Sequence, residues 1–514
     1  MTISWLNGFG QSLTYSKVLL DSANYAIESN AVVHTYDNGY IIAGDDVNIK
    51  GLLLKVDSMG NPQWNKLIRN TVVAASPDVI FNSIIPTYDS SLVVAGFAYN
   101  NSNQSDDAVC FKINIAGDTL WTKRIAIAGY PLNSTAIEQT ADSGFIMVGT
   151  IPNNVAPYEK IFVLRIDATG NVLWNKILSG ANNTNECNSV KQTPDGGFIL
   201  VGYIENQVAA NYTGDCFILK LDASGAIVWS NKYHLPDNSF IWGRNIEITN
   251  DGFFCRLSSS LMKTDSAGNV LWCKSFSPVS PDGFGLRRLS DNNYVFVYGG
   301  TFGGGGGIVK TDTAGNVIWD KWLALAPKDV VEAVDTGLFI VGNGPLFGVM
   351  AERVFWPHIG IIKTDSTGYT LHCISPGFGL QTISDTIVQS PVTFSSVSGT
   401  VSYQIFPGVV DSLDISNYSG CVDFLGSVNE NNADRTISLS PNPATNELRI
   451  KNSELKIERV EIYDVLGQRV FSQPQTSDLK PQTLLIDVSS LNSGMYFVKV
   501  KGAQEEKVAK FLKE

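Results

Sequence analysis

Three observations on the 514-residue chain predict an all-β fold of repeated sheets. One phrase recurs along most of the sequence, and short apolar runs between the copies are bounded by Asp, Asn and Gly, the pattern of strands joined by tight turns. Charged residues make up 17% of the chain, against roughly 25% in an average soluble protein, as expected where sheets are covered on both faces.

The recurring phrase reads DSMGNPQW up to Trp64, NIAGDTLW up to Trp121, DATGNVLW up to Trp174, DASGAIVW up to Trp229, DSAGNVLW up to Trp272 and DTAGNVIW up to Trp319. A seventh copy, DSTGYTLH, ends on His372 without the Trp. Each unit also carries an upstream phrase such as DNGYIIAG or DGGFILVG, and between the two lies a run such as LLLKVD or FILKLD. A unit therefore reads as four short strands. Asp-Gly and Asn-Gly pairs suit the first turn, because Gly accepts positive φ. In the Asp-x-x-Gly turn, the Asp oxygens accept turn amides.

The third runs are apolar on both faces, so each sheet must be covered on both sides; Phe217, Leu219 and Leu221 point one way and Ile218 the other. Seven such units closing radially predict a seven-bladed β-propeller of four-stranded antiparallel blades. The repeated Trp64, Trp121, Trp174, Trp229, Trp272 and Trp319 would fill the space between neighbouring blades. Trp5, in Ser4 to Asn7, stands in the register of the Trp strands, and this strand is expected to close the ring on the last blade. An eighth blade would need a further sheet from residues 373–434.

Composition divides the chain at about 372 and 435, giving a propeller (1–372), a β-rich connector (373–434) and a C-terminal domain (435–514). No Lys or Arg occurs between Thr364 and Asp434. From Thr436 onward there are 11 Lys and Arg against 10 Asp and Glu, while the preceding residues hold 26 against 39. That acidic balance argues against a nucleic-acid partner. No apolar stretch is long enough for a membrane-spanning helix.

In an antiparallel four-stranded blade the second turns and the blade-to-blade connections share one face of the ring. Here the second turns vary most, and variable loops on a rigid scaffold carry recognition. The ligand-binding residues expected on that face are Tyr99, Asn101, Tyr158, Tyr212, Phe347, Phe355, Trp356 and His358, whose amide and aromatic groups suit a glycan or a protein surface. No catalytic set is legible: the four His form no His-x-x-x-His pair, and neither a Gly-x-Ser-x-Gly elbow nor a phosphate-binding loop occurs. No metal site or cofactor is expected. Cys373 and Cys421 bracket the Lys-free segment and are the disulfide candidates; the other five Cys fall in strands as buried thiols.

The repeat phrase resembles the tryptophan repeat of quinoprotein-like propellers, which implies architecture alone, since the cofactor and calcium ligands of the quinone enzymes are not found. The C-terminal region reads as an all-β module with strands such as ELRI, VEIYDV, LLIDV and MYFVKV. It resembles the type A C-terminal sorting domain of the Bacteroidota type IX secretion system at Pro441, Asn442 and Pro443; at Asp464, Gly467 and Val470; at Leu491, Gly494, Tyr496 and Val498; and at Lys507, Lys510 and Lys513. The resemblance implies an immunoglobulin-like β-sandwich, recognition by the type IX secretion machinery, passage across the outer membrane, and a secreted or cell-surface destination. It also implies a cleavable leader, which MTISWLNGFG does not show. The function expected is a secreted or surface-displayed binding or adhesion protein; the alternative is a carbohydrate-active hydrolase or lyase with carboxylates on the variable-loop face. A polar pocket with converging carboxylates and a shifted pKa marks the enzyme, and an aromatic, Asn-rich surface marks the binder.

Overall fold

A computed structural model describes residues 14–513 except 22–25, 47–49, 71–78, 101–104, 153–158, 181–183, 209–210, 237–239, 278–284, 300–304, 345–357, 371–373, 377–380, 385–386, 393, 405–407, 412–414, 420–436, 442–443, 453–456, 464–468, 475–481, 493 and 503–505. The chain divides into two compact units, Met1–Leu425 and Gly426–Glu514. Among the described residues every regular element is a strand.

Each of the first six repeats supplies four consecutive antiparallel strands to one sheet, as in Ile27–His34, Tyr40–Asp46, Gly51–Val56 and Pro62–Asn70 of sheet one. Sheets two to six begin with Val79–Pro86, Asn133–Gln139, Thr184–Gln192, Asn245–Thr249 and Leu286–Arg288. Sheet seven takes three strands from its own repeat, Ala326–Glu332, Leu338–Asn343 and Ile359–Lys363. The first strand of every sheet packs beside the first strand of the next, and that of sheet seven packs beside that of sheet one. The sheets thus close around an axis as a β-propeller.

Ring closure differs from the expectation in its strand. The fourth strand of sheet seven is Tyr15–Asp21; Trp5 and its neighbours lie outside the described residues. Register explains the choice. In sheets one to six the Trp stands opposite a third-strand base, as Trp64 opposite Lys55 and Trp174 opposite Arg165. In sheet seven Tyr15 stands opposite Lys363, so a phenol ring takes the position of the indole.

The rings interlock the sheets in one direction. Trp64 packs on Gly117 in the equivalent Asn-x-x-Gly turn of sheet two, Trp121 on Gly170 of sheet three, and so round to Trp319 on Gly368 of sheet seven; Tyr15 then packs on Gly60 of sheet one. At Gly117, φ is +78° and an added Cβ would lie 2.8 Å from the Trp64 ring, so glycine is required both for backbone and for space. The Asp of this turn accepts the amides expected of it: Asp57 Oδ1 receives Met59 N–H and Asn61 N–H, each at 2.8 Å.

The connector forms the fifth strand of every sheet. Ile374–Pro376 pairs with sheet six, Gln381–Ser384 with five, Val388–Pro391 with four, Phe394–Val397 with three, Val401–Gln404 with two, Gly408–Asp411 with one and Ile415–Ser419 with seven. It is a belt that travels backward round the ring and ends beside Tyr15–Asp21. Among the described residues there are therefore seven five-stranded sheets, where the repeats alone predict four strands each. Edge strands otherwise left with unpaired amides and carbonyls are covered by short segments containing Pro and Ser.

The second unit packs a three-stranded sheet (Ile437–Ser440, Glu447–Asn452, Gln482–Asp487) and a four-stranded sheet (Arg469–Pro474, Ile457–Tyr463, Gly494–Gly502, Glu506–Lys513) about one core that includes Leu448, Ile450, Val460, Ile462, Ile486, Val498 and Phe511.

Candidate functional site

The axial cavity has a volume of about 740 Å³ and is lined by the first strands. Five of these strands bulge at one shared position, and in four of them the bulged side chain reaches the next sheet: Asn30 Nδ2 donates to Phe81 O (3.0 Å), Asn82 Nδ2 to Ser134 O (2.8 Å), Thr135 Oγ1 to Cys187 O (2.6 Å) and Asn188 Nδ2 to Gly243 O (2.8 Å). Three residues further along lies an ionic arc, Glu138, Lys191, Glu247 and Arg287 in sheets three to six. Lys191 Nζ is 3.2 Å from Glu138 and 3.8 Å from Glu247, and Arg287 meets Asp329 at 2.9 Å. Burial pulls Lys191 down, but Glu247 and Glu138 more than offset it. With Asp329 as the partner of Arg287, the charges of the arc are paired and read as packing of a polar core.

A more open arrangement lies at the second-turn face of sheets three to five. The connection into sheet five crosses the end of sheet four, where Ile241 N–H donates to Gly214 O (3.0 Å) and Gly243 N–H to Gly202 O (3.2 Å). An added Cβ on Gly214 would lie 2.5 Å from the Phe240 ring, so glycine there permits the close approach. Trp242 N–H is fixed by Ser258 Oγ at 2.8 Å. The Trp242 ring then lies 5.5 Å from Tyr203 and 6.2 Å from Phe240, with the Arg244 guanidinium 4.7 Å from its centroid. Phe240 is exposed.

Beside this aromatic shelf stand Glu159, Glu186 and Glu205. Glu186 is opposite Tyr203 and Glu205 opposite Thr184. The Glu159 and Glu186 carboxylates lie within hydrogen-bonding reach of each other, and burial followed by Glu186 pushes Glu159 up to about 7. Burial and Glu186 likewise raise Glu205. Two carboxylates this close favour a shared proton. The sign of the linkage is definite: a carboxyl whose folded-state pKa is raised destabilises the fold as pH rises from its unfolded value of about 4.3 through 7. Glu159→Gln is therefore expected to be neutral at pH 4 and to stabilise the protein by about 1–2 kcal/mol at pH 8, a figure reduced for partial solvent access. Urea unfolding at the two pH values checks it; equal effects at both would contradict the pairing.

The expected ligand residues fall differently. Asn101, Tyr158, Phe347, Phe355 and Trp356 lie outside the described residues. Tyr99 belongs to the second strand of sheet two, and its carbonyl accepts from Arg124 Nη2 at 3.1 Å. Tyr212 lies in a strand, opposite Gln207, where a loop was expected; the pairing of this hairpin runs on from Phe198 opposite Leu221 to Val208 opposite Asn211. His358 is buried immediately before the strand Ile359–Lys363, and burial lowers its pKa. Sequence reasoning missed Trp242 and Phe240 because they lie in the connection between blades and not in a second turn; Glu159 and Glu205 stand in second-turn segments, but nothing in the sequence pairs them with Glu186.

A second repeated constellation was also missed. In every sheet the third-strand base meets the Asp of the first turn: Lys55 and Asp37 (2.6 Å), Lys112 and Asp89 (2.7 Å), Arg165 and Asp142 (2.5 Å), Lys220 and Asp195 (2.9 Å), Lys263 and Asp251 (2.5 Å), Lys310 and Asp291 (2.7 Å), Lys363 and Asp335 (2.7 Å). The turn glycine makes room for the base: a Cβ on Gly39 would lie 2.5 Å from Lys55 Nζ. Positive φ falls one residue earlier, at Asn38 (+63°), so this glycine serves space where the sequence suggested backbone freedom. The signal was present as a Lys or Arg near the end of every third run.

Among the described residues no group of three potential ligands could hold a metal. Cys373 and Cys421 lie outside the described residues, and Cys110, Cys187, Cys216, Cys255 and Cys273 are buried thiols that form no disulfide among the described residues. In the second unit Tyr496 is buried and donates to Asn492 O (2.9 Å), Leu491 N–H donates to Val488 O (3.1 Å), Gly494 opens its strand, and Lys510 stands opposite Phe497. Pro441 follows the first strand of that unit. Asn442, Pro443, Asp464 and Gly467 lie outside the described residues.

Fold and tail together define a β-propeller protein with a C-terminal export domain. Residues 438–514 match the family described as the secretion system C-terminal sorting domain. A type IX tail of this kind implies recognition by the type IX secretion machinery and export to the medium or the cell surface. No curated protein matches the chain. Among solved structures, one titled "Structure of Dos1 propeller" is similar at 10% identity and a TM-score of 0.41, covering 70% of this chain and 97% of that one. No helix among the described residues is long and apolar enough to cross a membrane.

Proposed function

We propose that the chain is an exported seven-bladed propeller, with a tryptophan-repeat body and an immunoglobulin-like sorting tail of the Bacteroidota type, that binds a saccharide on its second-turn face. The observation that carries this reading is the shelf of Tyr203, Trp242 and Phe240 beside Glu159, Glu186 and Glu205. Aromatic planes pack on the apolar faces of sugar rings, and carboxylates accept from their hydroxyls. Tyr99, Asn101, Tyr158, Tyr212 and the segment carrying Phe347, Phe355, Trp356 and His358 would extend the same face. Adhesion to a glycan-coated surface follows if several copies engage at once.

A glycan array on the full chain, followed by calorimetry on the best binder, tests the reading. Trp242→Ala is expected to weaken binding at least tenfold, about 1.4 kcal/mol; an unchanged Kd would remove the shelf from the site. The hydrolase reading draws support from the raised Glu159, which suits a general acid. It is disfavoured by the pair's proximity, because glycosidase carboxyls stand about 5 Å or more apart. Turnover of the bound saccharide that is lost in Glu159→Gln would favour it.

A further inference from the structure

We propose that the outer face of the four-stranded sheet in the sorting tail docks on an acidic protein surface of the export machinery. The inference rests on the export reading and assigns the recognition to one face. One side of this sheet is core, with Val460, Ile462, Val498 and Val500 buried. The other side has three cross-strand rows given by register. Arg459 stands beside Lys501, Glu461 beside Lys499, and Tyr463 between Arg469 and Phe497. Register continues the first row with Glu506, the second with Val508 and the last with Lys510, so cations still outnumber carboxylates on this face.

Four cations among the described side chains thus surround one carboxylate. Glu461 is almost wholly covered, while the side chains of Arg459 and Arg469 are 51% and 55% exposed. Lys501 Nζ is 3.0 Å from Glu461, Arg469 is 3.2 Å away and Tyr463 Oη donates at 2.9 Å. Lys501 and then Tyr463 hold the Glu461 carboxyl at about 2, so it stays ionised and fixes the cations in place at any physiological pH. Phe497 is exposed among them, an apolar anchor inside a charged rim, which is the composition of a protein interface.

Charge also decides the kind of partner. The residues before Thr436 carry 26 Lys and Arg against 39 Asp and Glu. An acidic receptor repels that cargo and attracts this face, so it selects the tail of the same chain. A basic receptor would be drawn to the cargo instead. Such complementarity governs orientation and encounter rate more than final affinity.

The test uses the full chain behind a periplasmic leader in a bacterium that carries type IX machinery. Arg459→Glu with Lys499→Glu is expected to lower the exported fraction at least tenfold and retain the chain in the periplasm, while Arg459→Lys with Lys499→Arg exports as wild type. Both purified variants should keep the wild-type melting profile; if the reversal does not, Arg459→Gln with Lys499→Gln replaces it and the same loss is expected. Export of the reversed or neutralised variant at the wild-type level overturns the inference. Co-sedimentation of the wild type with phosphatidylglycerol vesicles, lost in the reversed variant, overturns it in favour of a lipid surface. A wild-type chain that stays in the periplasm overturns the export reading and this inference with it.

Discussion

A chain ending at Thr370 should unfold at markedly lower urea than one ending at Leu425, with the fourth strand of every sheet losing amide protection at least a hundredfold. The belt is the reason. Its seven segments pair with fourth strands, as Phe394–Val397 with Ile177 to Gly180 and Gly408–Asp411 with Leu67 to Asn70. It also flanks the closing strand, so that Tyr15–Asp21 is held between Ile359–Lys363 on one side and Ile415–Ser419 on the other. Without it, closure rests on one pairing. A hundredfold loss of protection corresponds to about 2.7 kcal/mol of local opening free energy. Hydrogen exchange on both chains measures it, and equal protection in the fourth strands would show the belt to be an ornament of the edge.

The second large effect is expected from Asp37→Ala, at about 2–3 kcal/mol in urea unfolding. Lys55 is 1% exposed, and its Nζ is held by Asp37 and by Thr35 Oγ1 at 2.5 Å; removal of the carboxylate leaves a buried ammonium with a hydroxyl alone. Breaking a buried pair in this way costs 3–5 kcal/mol, less where water reaches one partner. The reverse change, Lys55→Met, is expected to cost only about 1 kcal/mol, because Asp37 is 39% exposed and can be solvated. Equal effects of the two substitutions would contradict this asymmetry. The same pairs set the acid limit of the fold. Thr193 and Lys220 hold Asp195 at about 2, and Lys112 holds Asp89 lower still. Folded-state values below the unfolded one of about 3.9 give stability that is complete above that pH and lost as pH falls toward 2. Acid titration of wild type and of Lys220→Met should show the variant losing less on the way down.

How much of this was legible depends on whether a feature is local. Turns, strands and the interlocking Trp could be read because each is written within eight or nine residues and repeated. The belt could not: Gln381–Ser384 and Val388–Pro391 are four-residue strands with no apolar alternation, and their partners lie more than a hundred residues away. Tyr15 escaped notice for a related reason, since its identity as the seventh ring follows from register opposite Lys363 and not from the phrase around it. Trp242 was visible as a Trp outside the repeat, yet nothing in IWGRN tells that it folds over Gly202 and Gly214 of the preceding sheet. The three Glu were beyond reach, because Glu159 and Glu186 belong to different sheets and only the ring brings them together.

The reverse path of the belt bears on maturation. Its last strand, Ile415–Ser419, ends in the sheet that also holds Tyr15–Asp21, and the stretch leading to the sorting domain begins after it. A protease acting in residues 420–436 would sever the export address while every hydrogen-bonded strand of the propeller stays in place. The export address and the seam of the ring are thus carried by separate stretches of chain.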